Sequence, residues 1–141
     1  MENVLAPTLP LGARTSRAFR KSLWVGRVLT GLCVAFLLLD ALGKLLMLAP
    51  VVEGTRQVGY AVGVIRPLGL LLAVSTLLHL LPRTQLVGAL LLTAYLGGAT
   101  ATQVRAGQPF WFPVAMGAII WSAYFLRSPS LRALLFPTQS R

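Results

Sequence analysis

The sequence predicts an all-α polytopic membrane protein, an up-down bundle of four transmembrane helices with both termini in the cytoplasm. Three observations carry this expectation. Of 141 residues, 56% are hydrophobic and only 11% charged, where a soluble domain has about 25% charged residues. The apolar residues gather in four runs, each about long enough to cross a hydrocarbon core of roughly 30 Å. The connections between the runs are short, which makes neighbouring helices antiparallel.

Each element follows from local chemistry. Residues 1–21 hold Pro7, Pro10 and Gly12 together with Arg14, Arg17, Arg20 and Lys21, and read as a mobile basic cytoplasmic tail with a short interfacial helix around 16–23. The apolar run from Val28 continues through Leu48 with no small-x-small cleavage site, which favours an uncleaved first span over a signal peptide. The transmembrane domain covers 22–127, with spans at about 23–46, 60–81, 85–104 and 110–126. Pro50 ends the first segment, and a polar link over 51–59 carries Glu53, Arg56 and Gln57. Arg66-Pro67 falls in the first third of span two. A helix beginning at Pro67 would reach only about 22 Å by Leu81, so the helix is expected to begin earlier and to kink at Pro67. Pro82-Arg83-Thr84 is a turn. Span three has a second half, Gly97 to Thr102, made almost wholly of small or hydroxyl residues. Span four carries Trp111, Trp121 and Tyr124 near its ends, where interfacial aromatics belong. Arg127-Ser128-Pro129-Ser130 stops it, and a surface helix over 131–136 lies in a short cytoplasmic tail, 128–141.

The net charge is +10, but the basic residues are spread over tails and loops. Nucleic-acid binding needs them concentrated on a soluble face, so they read as topology signals and contacts to anionic membrane lipids. Arg14, Arg17, Arg20, Lys21, Arg83, Arg127, Arg132 and Arg141 share one side, joined by Arg27 at the start of span one. Lys44, Arg56, Arg66 and Arg105 share the other. The positive-inside rule assigns the first side to the cytoplasm. The single cysteine, Cys33, allows neither an internal disulfide nor a CxxC pair. The single histidine, His79, has no Cys, Asp or Glu in its leaflet, so no metal site is predicted. No catalytic set, phosphate loop or dinucleotide fingerprint is present.

The topology collects polar groups in the outer leaflet. Asp40 and Lys44 end span one at i,i+4 spacing and can pair. Glu53 is in the link, Arg66 in the outer third of span two, and Gln103 and Arg105 end span three. Arg66 and Arg105 compete for Asp40 or Glu53, which leaves a positive surplus suited to an anionic or carbonyl-bearing ligand. Charges at membrane depth cost several kcal/mol unless paired or wet. Two readings follow: a ligand site, or a structural clamp through Asp40–Arg66 or Asp40–Arg105. On span three, Ala94, Gly98, Ala101 and Arg105 fall on one stripe. Close packing within the bundle is the favoured use of that face, and a homodimer the alternative. Tyr95, Ala99 and Thr102 form the adjacent stripe, suited to lining a cavity, with Tyr95 offering a hydrogen-bonding hydroxyl.

Leu39-Asp40-Ala41-Leu42-Gly43-Lys44, Val52-Glu53, Leu80-Leu81-Pro82-Arg83-Thr84 and the run Tyr95 to Arg105 together resemble the DoxX-like family of small bacterial four-helix membrane proteins. The resemblance covers about residues 25–135, and Tyr95-Leu96-Gly97-Gly98-Ala99 followed by Thr102-Gln103-Val104-Arg105 is its most specific part. It implies an integral protein of the bacterial inner membrane, an accessory or small subunit associated with membrane redox complexes and with quinone. Asp40, Lys44, Glu53, Gln103 and Arg105 match the family pattern, whereas Arg66 and Tyr95 come from charge and packing. Relatives often carry His at the position of Gln103, which puts a redox or metal role of that His in doubt here. The expected function is binding of a quinone or lipid-like molecule at the outer-leaflet cluster. The alternative is a ligand-free scaffold that binds a partner. An independent enzyme is the weakest reading, because the sequence encodes no flavin, haem or iron–sulfur motif as an electron source.

Overall fold

In the computed structural model, which describes residues 11–128 and 131, and side chains from residue 23 onward, the chain forms five helices. They are α1 (Leu11–Leu45), α2 (Ala49–Gln57), α3 (Val62–Leu80), α4 (Gln85–Arg105) and α5 (Trp111–Arg127). The expected tail over 1–21 divides: residues 1–10 lie outside the described residues, and the rest is the beginning of α1. The expected surface helix over 131–136 lies outside the described residues apart from Leu131.

Leu23–Leu45, Val62–Leu80 and Gln85–Arg105 are long and apolar enough to cross a membrane. α5 has 17 residues, or about 25 Å of helix. Helix α3 begins at Val62 and carries Pro67 inside it. The polar link folds as α2. Pro50, expected only to end the first segment, sits in the first turn of that next helix, where a missing N–H costs nothing and its fixed φ suits the helix. Two residues with left-handed backbone bracket α2, Met47 at φ 56° and Gly59 at φ 92°.

The long helices close a ring. α1 packs on α3 and α5, and α4 packs on the same two, while the backbones of α1 and α4 stand apart at opposite corners. Neighbours run antiparallel, as two glycine contacts show. A Cβ on Gly69 of α3 would lie 2.8 Å from Lys44 Cβ and 3.0 Å from the Ala41 carbonyl oxygen of α1. A Cβ on Gly88 of α4 would overlap the backbone of His79 in α3. Cys33, Leu37 and Ala41 meet Leu72, Leu92, Leu96, Met116 and Ile120 in the centre.

Outside the ring the surface is apolar. Leu32 and Leu39 on α1 and Leu46 just beyond its end recur every seventh residue, each at least 66% exposed. A stripe of that kind is a liability in water and is at home against acyl chains. Polar bonds tie the helices within the ring. The Trp121 indole Nε1–H of α5 donates to Thr93 Oγ1 of α4 at 2.9 Å, and Thr93 Oγ1 donates to the Ala89 carbonyl at 2.8 Å. Trp121→Phe removes the interhelical bond and is expected to cost about 0.6 kcal/mol, the mean for such bonds in membrane helices. Thermal unfolding should show a small fall in Tm with helix content unchanged.

Candidate functional site

At the end of the ring where α1 finishes and α3 begins, the gap between α1 and α4 opens into a cavity of about 560 Å³. Its origin is steric. In the middle of the ring, Leu37, Leu92, Leu96 and Met116 fill the space between the opposite corners. Towards this end α4 presents Ala94, Gly98 and Ala99 to the gap, and small side chains leave it open. A Cβ built on Gly98 meets nothing within 4 Å. Phe36 of α1 and Phe112 of α5 close one side with rings in edge contact, centroids 5.0 Å apart. Val51, Gly54 and Thr55 of α2 lie across the mouth.

The cavity's main polar groups come from α1, α4 and the link between α2 and α3. Asp40 and Lys44 form an ion pair one turn apart on α1. Lys44 is buried, 8% exposed, although charged; its carboxylate partner is what makes that burial tolerable. Tyr60, between α2 and α3, bonds Thr102 of α4 at 3.0 Å. Because the Thr102 hydroxyl donates to the Gly98 carbonyl at 2.8 Å, Tyr60 must be the donor in this pair: a hydroxyl has one proton to give. Gln103, also lining the cavity, buries its side-chain oxygen without a hydrogen-bond partner. Tyr95 projects from the same helix, half-buried.

Of the residues singled out by sequence, Asp40, Lys44, Tyr95 and Gln103 therefore share one cavity. Glu53, Arg66 and Arg105 are exposed and outside its lining. Among the described residues the only ion pair is Asp40–Lys44, so neither proposed clamp, Asp40–Arg66 or Asp40–Arg105, is formed. The reason is local: Lys44 lies on the same helix face as Asp40 and reaches it without any tertiary constraint. Arg105 turns instead towards Gly59, with Nη2 3.4 Å from where a Cβ there would sit. The charges on the cavity wall thus balance, and the positive surplus lies outside it.

The expectation that the small face of span three packs tightly within the bundle is also overturned. Ala94, Gly97, Gly98 and Ala101 are exposed, and a Cβ on Gly97 or Gly98 would meet no neighbour. Close approach is made instead by Gly26, Gly69 and Gly88. Sequence reasoning missed Tyr60 altogether. Its partner Thr102 was in view, but a tyrosine at the start of a span reads first as an interfacial anchor.

The family model described as the DoxX-like family matches residues 28–124, from the first turns of the apolar part of α1 almost to the end of α5. Among curated proteins and solved structures nothing matches the chain.

Proposed function

The chain belongs to the DoxX-like family, and from that premise we propose that it is an accessory protein of a membrane redox assembly that holds a quinone or similar lipid-like molecule in the cavity between α1 and α4. The carrying observation is the cavity itself: about 560 Å³, with apolar and aromatic walls and a few converging polar groups at one end. Small-molecule sites commonly have this make-up and about 300–1,000 Å³. The residues fit such a head group. Lys44 retains N–H donors beyond the one shared with Asp40 and can bond a carbonyl. Gln103 offers its unpartnered oxygen to a hydroxyl, the group that a quinone gains on reduction. The balanced Asp40–Lys44 pair favours a neutral head over a phosphate. In this reading α5 is the fourth span, both termini are cytoplasmic, and the cavity opens in the outer leaflet of a bacterial inner membrane.

The test is to purify the chain in mild detergent and identify small molecules that accompany it by mass spectrometry. Gly98→Leu is the informative variant, because its side chain enters open space and helix propensity favours it by roughly 0.8–1 kcal/mol. The expected result is a quinone or isoprenoid lipid with the parent chain and its loss from Gly98→Leu at a Tm no lower than the parent's. Bulk phospholipid alone, equal in both proteins, sinks the reading. A reporter fused at Gly107 checks the orientation, and activity in the cytoplasm would invert it.

A second reading, a scaffold for a partner helix or a second copy of the chain, draws on one observation: the face of α4 bearing Gly97 and Ala101 is exposed and free of packing. Close helix association in lipid uses faces of this type. Light scattering in detergent separates the two readings: Gly97→Leu would turn a dimer into a monomer and leave the accompanying small molecules unchanged.

A further inference from the structure

The end of the ring opposite the cavity holds a second polar cluster, and its chemistry is independent of what the cavity binds. Arg127, the last residue of α5, lays its aliphatic part against α1: a Cβ on Gly26 would be 2.8 Å from Arg127 Cγ. Arg27 follows Gly26 on α1, so its side chain leaves the helix one residue from the place where Arg127 packs. Arg127 Nε is buried without a hydrogen-bond partner, and so is Gln85 Nε2 in the first turn of α4. The same end carries the buried ring of His79, 3.2 Å from the Gln85 carbonyl oxygen and edge-on to Tyr124. Both described carboxylates, Asp40 and Glu53, belong to the other end of the ring, and among the described residues neither arginine has an ion-pair partner.

Two cationic side chains leaving adjoining helix ends, with no carboxylate paired to either among the described residues and Arg127 Nε buried without a partner, are an unfavourable arrangement. An anion with several oxygens resolves it. Planar guanidinium forks match phosphate oxygens and bond them strongly. A merely snorkelling arginine would carry its whole head group out to the membrane surface. Arg127 instead keeps Nε buried, its side chain seated against a glycine.

We propose that Arg27 and Arg127 clasp a phosphate oxyanion between the adjoining ends of α1 and α5, supplied in the membrane by the head group of an anionic phospholipid. Such lipids are concentrated on the cytoplasmic face, the side to which the basic residues assign this end. Binding there ties the first long helix to the last and stabilises the closed ring by mass action.

The test follows thermal unfolding of the full chain in a neutral detergent, with phosphatidylglycerol, phosphatidylcholine or inorganic phosphate added. Phosphatidylglycerol is expected to raise Tm by several degrees and phosphatidylcholine to leave it unchanged. Arg27→Gln and Arg127→Gln should each lose most of the rise. Arg83→Gln, which removes an exposed charge from the turn at the same end, should keep it. Should Arg127→Gln fold poorly, Arg27→Gln decides, because Arg27 is exposed and fills no core space. An equal rise with inorganic phosphate, lost in the same variants, supports the phosphate site and assigns it a soluble source. No rise with either phosphate source overturns the proposal. So does a rise undiminished in Arg27→Gln, or one reduced equally in Arg83→Gln, since either would mark a general effect of surface charge.

Discussion

Gly88→Val is expected to leave little folded protein. A Cβ at this position would overlap the His79 backbone and come within 2.6 Å of the Leu78 carbonyl carbon. Neither neighbour is the tip of a flexible side chain, so relief requires α3 and α4 to move apart. That movement would pull His79 Nδ1 from the Gln85 carbonyl and Thr84 Oγ1 from the Leu78 carbonyl, which hold the turn at 3.2 and 2.9 Å. Overpacking against yielding side chains costs about 1–3 kcal/mol. Here the obstacle is backbone, and the loss should exceed about 4 kcal/mol, the range reserved for severe core defects. Gly97→Val on the same helix is the control, because nothing lies within 4 Å of its Cβ. Both add the same β-branched side chain to α4. If the two variants have equal yields and melting temperatures, the close contact of α3 with α4 does not hold the ring together.

Asp40→Asn is expected to destabilise the chain by about 3–5 kcal/mol, the cost of leaving a buried cation without its partner. Lys44 is 8% exposed and its Cβ is packed against Gly69 of α3, so it cannot follow the simple escape of a surface lysine. Asp40→Asn combined with Lys44→Met should recover most of the loss, because removing both members of a buried pair is often nearly neutral. Thermal unfolding of the single and double variants closes the cycle. Equal Tm values for the parent and Asp40→Asn would show that the pair carries no stability. A double variant that is stable yet no longer accompanied by a small molecule would separate the binding role of the pair from its structural one.

Much of the fold is legible in the residues because lipid imposes a blunt requirement on helix length and polarity. Pro82 and Gly107 mark ends that the helices respect within two residues, whereas Pro50 opens α2 instead, and three of the four apolar runs appear as helices of spanning length. The site was legible only in part. Asp40 and Lys44 are paired by helix periodicity alone, and Tyr95 and Gln103 lie on the cavity through their place on α4. Arg66 and Arg105 were brought to Asp40 by counting charges in one leaflet, and the structure leaves both exposed. A charge count assigns residues to a depth and says nothing about the direction in which they point.

The sequence by itself determined the class, the apolar runs, the family and the i,i+4 spacing that lets Asp40 and Lys44 pair, since each depends on composition or on neighbours along a single helix. Tertiary structure alone decided which glycines touch a neighbour, that the small face of α4 borders an open cavity, and that Tyr60 reaches Thr102 from another segment. The physical reason is rotation about the helix axis. In a water-soluble bundle the apolar stripe reports which side faces inward. Here core and surroundings are both apolar, so a helix such as α3 or α4 has no strong stripe to set its rotation. Steric fit and a few polar bonds between helices set it instead.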